Sequence, residues 1–169
     1  TLSSQAMMSI QVNDVNEVPE IANQSFTIDE NTVGGTDIGI VNATDPDNGQ
    51  SLTWAITGGN TGNAFSINAS NGTVSVNDES MIDFETNPVF NLDVKVTDDG
   101  MGNLFAEAMI TINIDDINEM PVIEDQGFVI AENTPYSTSI GIVVASDPDV
   151  GQSLAYAIVG GNTENSFSI

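Results

Sequence analysis

Short runs of alternating apolar and polar residues dominate this chain. Leu52, Trp54 and Ile56 alternate with Thr53 and Ala55. Phe90, Leu92, Val94 and Val96 alternate with Asn91, Asp93, Lys95 and Thr97. Ile110, Ile112 and Ile114 alternate with Thr111 and Asn113. A period of two sends successive side chains to opposite faces, so each run predicts a strand with one face buried and one in water. Similar runs predict further strands over 24–29, 36–44, 63–67 and 72–77. Asn71-Gly72 and Asp99-Gly100 supply turn residues between runs. No stretch has a helical period. About seven strands in roughly 100 residues is the size of an immunoglobulin-like sandwich.

The pattern recurs along the chain. Asp14-Val15-Asn16-Glu17-Val18-Pro19 returns as Asp116-Ile117-Asn118-Glu119-Met120-Pro121, an offset of 116 − 14 = 102. At the same offset Glu30-Asn31-Thr32 returns as Glu132-Asn133-Thr134. Asp45-Pro46-Asp47 returns as Asp147-Pro148-Asp149, and Phe65-Ser66-Ile67 as Phe167-Ser168-Ile169. Aligning 16–67 on 118–169 without a gap gives 33 identities in 52 positions. Such self-similarity marks a tandem array. Leu2, Ala6, Met7, Ile10 and Asp14 likewise match Leu104, Ala108, Met109, Ile112 and Asp116. The expected organisation is therefore a last strand of a preceding repeat (1–15), a complete repeat (16–118) and the first half of the next (119–169). Half a sandwich exposes its core face, so a neighbour or further chain is expected to cover it.

Charge narrows the function. The 169 residues hold 25 Asp and Glu against one basic residue, Lys95, for a formal charge of −24. Nucleic acid is excluded as a partner because phosphate binding needs clustered Lys or Arg. An anionic membrane surface is excluded on the same ground, and no segment is long and apolar enough to insert into a bilayer. There is no Cys to crosslink the fold and no His to serve as a general base or soft-metal ligand. So many carboxylates on one body repel each other unless a multivalent cation offsets them.

The acids sit where strands end. Glu30 closes one strand, and Asp45 and Asp47 follow another. Asp83 and Glu85 lie in the loop before the Phe90 run, and Asp98 closes that run. Asp116, Asn118 and Glu119 form the link between repeats. In a Greek-key sandwich these loops gather at the two ends. Glu30, Asp83 and Glu85 are expected at the end beside the outgoing link, and Asp45, Asp47 and Asp98 at the end beside the incoming one.

Taken together these motifs resemble the cadherin repeat. That family carries an acid near the end of its first strand, Asp-x-Asp, Asp-x-Glu, a late x-Asp-x, and a linker of the form Asp-x-Asn-Asp-Asn-x-Pro. This chain shows Glu30, Asp45-Pro46-Asp47, Asp83-Phe84-Glu85, Thr97-Asp98-Asp99 and Asp116-Ile117-Asn118-Glu119-Met120-Pro121, in that order. It departs at Phe84, where the family usually has a basic residue, at Glu119 in place of Asp, and at Met120 and Val18 in place of Asn. Those departures resemble the cadherin-like repeats of large bacterial surface proteins more than animal adhesion cadherins.

The resemblance implies an all-β fold of tandem seven-stranded Greek-key sandwiches at the cell surface, with Ca²⁺ bound at repeat junctions. It implies the ligand set Asp14, Asn16, Glu17, Glu30, Asp45, Asp47, Asp83, Glu85, Asp98, Asp116, Asn118, Glu119, Glu132, Asp147 and Asp149. The chemistry agrees, because calcium takes six to eight hard oxygen ligands. The implied partners are neighbouring repeats, and identical chains in a fibre or another cell surface. The implied role is a calcium-rigidified stalk, fibre or adhesive array, not an enzyme: the acid pairs Asp83/Glu85 and Asp45/Asp47 have no accompanying pocket motif. The alternative is a carbohydrate-binding surface module. It would need an exposed aromatic platform, and Trp54 and Tyr156 fall instead on the apolar face of a strand.

Overall fold

In the computed structural model, which describes residues 2–169, the alternating runs of the complete repeat become strands. Among the described residues there are nine: β1 (Glu20–Ile21), β2 (Gln24–Asp29), β3 (Asp37–Ile40), β4 (Ala43–Thr44), β5 (Thr53–Gly58), β6 (Phe65–Ile67), β7 (Thr73–Val76), β8 (Val89–Thr97) and β9 (Phe105–Asp115). Helical structure is confined to single 3₁₀ turns at 61–63, 79–81 and 163–165. The chain divides into two compact units, Thr1–Asp115 and Asp116–Ile169.

In the first unit one sheet has the order β2-β9-β8-β5 and the other β3-β7-β6, with β1 and β4 paired as a short ribbon. All pairings are antiparallel except β2 with β9, which run parallel from Gln24↔Ile110 to Asp29↔Asp115. The inward residues of β8 (Phe90, Leu92, Val94, Val96) and β9 (Ala108, Ile110, Ile112, Ile114) are buried, as the period of two requires. Val74, Val76 and Phe65 pack against them from the other sheet. The Phe65 and Phe90 rings meet edge-to-face, with centroids 5.0 Å apart. Trp54 is half-buried and packs on this core, which places it away from any exposed aromatic platform.

One sequence expectation is refined and another is met. The run 36–44 is not one strand: β3 ends at Ile40 and β4 starts at Ala43. Gln24 causes the break. Its side chain accepts from the Asn42 N–H at 3.0 Å and donates to the Asn42 carbonyl at 3.0 Å, so it occupies the backbone groups a continuing ladder would use. Freed from β7, the chain pairs with β1 instead, as Glu20↔Thr44 and Ile21↔Ala43. The predicted turn at Asn71-Gly72 is present. Gly72 has φ +72°, and a Cβ there would lie 2.7 Å from the Val41 carbonyl oxygen.

The second unit repeats the first locally. Gln126 bonds both backbone groups of Val144, at 2.7 and 2.9 Å, as Gln24 does Asn42. Val122 bridges Ser146, at the positions of Glu20 and Thr44. Asn162 bonds the backbone of Phe167 twice, as Asn60 does that of Phe65. A Cβ on Gly39 would enter the Phe26 ring at 2.4 Å, and one on Gly141 the Phe128 ring at 2.2 Å. In both places a glycine lets a phenylalanine lie flat on the neighbouring backbone. Residues 2–19 carry no regular secondary structure, and 2–15 are exposed.

Leu92 is fully buried in the middle of β8, whereas Val33 is 65% exposed. Leu92→Ala is expected to destabilise the first unit by about 2–5 kcal/mol, through lost burial plus an unfilled cavity. Val33→Ala is expected to stay within about 0.5 kcal/mol of the parent. Urea unfolding midpoints at unchanged slope would check both.

Candidate metal centre

The link into the first unit is tied to the loop after β4 by carboxylates. Asp45-Pro46-Asp47 follows β4 directly, and its first side chain accepts from the second residue's N–H (Asp47 N to Asp45 Oδ1, 2.8 Å). This is an Asx-type turn, which the proline favours by restricting the residue before it. Asp47 is thereby fixed and 6% exposed. Its Oδ2 accepts from the Glu17 N–H at 2.7 Å. Asp98, immediately after β8 and 4% exposed, is held by the turn beneath it: its Oδ1 accepts from the N–H groups of Gly100 at 3.1 Å and Leu104 at 2.9 Å. Its Oδ2 accepts from the Asn16 amide at 3.0 Å. Asn16 accepts in turn from the Gln50 amide.

These bonds leave carboxylate oxygens over. Asp45 Oδ2, Asp47 Oδ1 and the Gln50 carbonyl Oε1 are buried and have no hydrogen-bond donor. An unsatisfied buried acceptor costs about 1–3 kcal/mol, more when charged. Among the described residues no ammonium or guanidinium relieves them: Lys95, the chain's one basic residue, sits 5.4 Å from the Phe105 ring centroid. The donor set is hard oxygen throughout, suited to Ca²⁺ or another hard cation and unsuited to soft metals.

The second unit repeats the bonds between link and Asp-Pro-Asp turn. The Glu119 N–H donates to Asp149 Oδ2 at 2.9 Å, and the Asp149 N–H to Asp147 Oδ1 at 3.1 Å. Gln152 donates to Asn118 Oδ1 at 2.7 Å and to Asp149 Oδ2 at 2.9 Å. Asp149 is 5% exposed, and its Oδ1 again lacks a donor. Gln50 and Gln152 were absent from the sequence-derived ligand set. Their signal was present, since both follow Asp-Pro-Asp by the same spacing at the 102-residue offset.

The other end of the first unit holds Glu30, Asp83 and Glu85. Glu30 follows β2 and is 3% exposed; its Oε2 accepts from the Phe84 N–H at 3.0 Å. Its own N–H reaches the Asp115 carbonyl at 2.9 Å, and the next residue, Asn31, reaches the Ile82 carbonyl at 2.9 Å. The loop that carries Asp83 and Glu85 is thus wrapped on Glu30. Asp83 accepts from Thr86 through N–H and hydroxyl, at 2.9 and 3.0 Å, and Glu85 is exposed. Asp14, Asp116 and Glu132 are exposed. The structure therefore groups Asn16, Glu17, Asp45, Asp47 and Asp98 at one end of the first unit. It groups Glu30 with the Asp83–Glu85 loop at the other, and Asn118, Glu119, Asp147 and Asp149 within the second.

Comparison with known proteins meets this geometry. The family model described as Cadherin domain matches residues 24–115. Human Cadherin-23 is 36% identical over 171 residues, covering 96% of this chain and 5% of that protein. Mouse Protocadherin Fat 4 is 34% identical over 171 residues, covering 95% of this chain and 3% of that protein. Among solved structures, human CDH23 EC21-23 superposes with a TM-score of 0.69 at 30% identity, covering 83% of this chain and 47% of that one. The chain thus spans 5% and 3% of the length of the two curated relatives. Those relatives are animal proteins and lend no support to the bacterial setting expected above. No helix among the described residues is long and apolar enough to cross a membrane. The fold, the matched span and the relatives agree, and the chain belongs to the cadherin domain family, whose members are non-enzymatic adhesion-type proteins.

Proposed function

We propose that this chain is a calcium-binding segment of an extracellular tandem array that acts as a stiff stalk, fibre or adhesive surface. One observation carries the reading. Carboxylate oxygens with no donor are buried beside the incoming link of both units, at positions 102 residues apart. Buried acceptors of this kind are met by an ordered water or a cation, and the crowding of hard acidic oxygens around them favours the cation. Asp45, Asp47 and Asp98, with Asn16 and Glu17, would hold calcium at the first site. Asp147 and Asp149, with Asn118 and Glu119, would hold it at the second, and Glu30, Asp83 and Glu85 would supply ligands at the far end of the complete repeat. Asp14, Asp116 and Glu132 belong to the set by sequence position.

Bound calcium supplies positive charge where carboxylates crowd. Two like charges about 5 Å apart repel by roughly 3 kcal/mol at an effective dielectric near 20. With −24 on the chain, relieving such pairs matters for stability. The Glu17 and Glu119 amides already bond Asp47 and Asp149, so a cation there fastens each linker to the sandwich that follows it. Repeated along a chain, this stiffens the array. Weak contacts of many identical repeats with other chains or another cell surface then add as avidity. Carbohydrate recognition has less support, because Trp54 packs on the core.

Two outcomes are expected. Saturating calcium, relative to EDTA, should raise the melting temperature by on the order of 10 °C, since a ligand at about 100 times its Kd adds roughly 2.7 kcal/mol. Calorimetry showing the same melting in both would remove the reading. Asp47→Asn keeps an acceptor for the Glu17 N–H but removes the charge. It should melt at or above the parent in EDTA and gain at least several degrees less from calcium. Paired scans of the two proteins would check this.

A further inference from the structure

The sequence holds two Asn-Gly pairs, Asn48-Gly49 and Asn71-Gly72, and both lie inside the complete repeat. An asparagine followed by glycine is open to attack by its own chain, because the glycine has no Cβ to shield its nitrogen. That nitrogen must meet the asparagine Cγ in an aligned arrangement and give up its proton. The fold treats the two pairs differently.

At 71–72 both reacting groups are tied. The Asn71 Oδ1 accepts from the Thr73 N–H at 3.0 Å, and the Gly72 N–H donates to the Asn68 carbonyl at 2.9 Å. Gly72 is buried and packs against the Val41 carbonyl and the Trp54 ring. The Gly72 nitrogen cannot turn onto Cγ without breaking these bonds. At 48–49 nothing comparable holds. Among the described residues neither the Asn48 side chain nor the Gly49 N–H has a hydrogen-bond partner, and both residues are exposed. Gly49 has φ +94°, with open space where a Cβ would stand. The counterpart loop Val150-Gly151, which follows a complete repeat in sequence, has the same character: Val150 is 96% exposed and Gly151 has φ +90°. The neighbours of Asn48 are residues that hold the link. Asp47 accepts from the Glu17 N–H, and Gln50 donates to Asn16.

We propose that Asn48 is a site of spontaneous deamidation that ages the first link site and spares the second. The Gly49 nitrogen bonds to Asn48 Cγ, the Cγ–Nδ2 bond breaks, and the amide leaves as ammonia with the Gly49 proton. Water then opens the cyclic imide. Cleavage of the new bond leaves aspartate at position 48. Cleavage of the original peptide bond leaves isoaspartate, whose main chain runs through the former side chain. Only water is consumed and only ammonia released. Isoaspartate puts an extra methylene into the backbone between Asp47 and Gln50, so the bonds to Glu17 and Asn16 can no longer both keep their geometry. The second unit has Val150 at this place, with no amide to lose. The two link sites of one chain therefore diverge with age. The effect on calcium rests on the function proposed above; the covalent change does not.

The test is timed incubation of the 169-residue chain in EDTA at mildly alkaline pH, followed by peptide mapping and enzymatic isoaspartate labelling. The peptide with Asn48 should gain the mass of an NH-to-O exchange about tenfold or more faster than the peptide with Asn71, where two hydrogen bonds must break. In urea the two should react alike. Equal rates in the folded chain overturn the proposal. So does a folded chain that stays intact at 48 while the unfolded chain reacts. Asn48→Val, which copies the second unit, should show the fresh parent's calcium gain in melting temperature and keep it on ageing. The parent's gain should fall in proportion to its isoaspartate content. Fresh Asn48→Asp, with the charge but a normal main chain, should keep it. An aged parent rich in isoaspartate with an unchanged gain overturns the link to calcium. A fresh chain that gains nothing from calcium rejects the function proposed above, while the mapped rates at 48 and 71 still support or overturn the modification.

Discussion

Burying a carboxylate oxygen that no donor reaches is the constraint around which this molecule is organised. Asp45, Asp47 and Asp149 each do so, in a sequence whose single lysine is engaged over an aromatic ring. The sandwich does not need these acids for its core, which closes on Phe65, Leu92, Val94, Ile110 and Ile112. They sit instead where strands end and the chain enters a repeat. Under the calcium binding proposed above, these oxygens would receive the counter-charge they lack, and stability would rise with divalent cation concentration.

The same bonds join fold to function. The backbone of the link is held by the carboxylate two residues into each Asp-Pro-Asp turn, Glu17 by Asp47 and Glu119 by Asp149. Under the proposed calcium binding, the side chains that orient the link would also be the ligands. The glutamines at 50 and 152 hold the link asparagines in place, so part of the arrangement is preorganised by ordinary amide hydrogen bonds. Cadherin-family membership explains the sandwich, and the acid-rich links and turns carry the proposed calcium binding.

Much of this was legible in the sequence because the signals were periodic. The alternation in 90–97 and 110–114 specified β8 and β9 with their buried faces, and the 102-residue offset specified which acids would be repeated. What was not legible depended on single side chains reaching across the fold. The break between β3 and β4 arises because Gln24 captures Asn42, 18 residues away. The ribbon β1–β4 is two residues long, too short for any period to register. Gln50 is neutral and lies outside the acid pattern, and its role appears only through its bond to Asn16, 34 residues earlier. That Asp98 would bond Asn16, 82 positions earlier, follows from topology, which no local pattern encodes.

The central claim concerns where charge goes, so the direct measurement is a crystal structure of the calcium-soaked chain with anomalous difference maps. The account predicts calcium peaks in contact with Asp47 Oδ1 and Asp45 Oδ2, and with Asp149 Oδ1 in the second unit. Well-ordered carboxylates at those positions that bond only to water, at millimolar calcium and with no ion in the map, would contradict it.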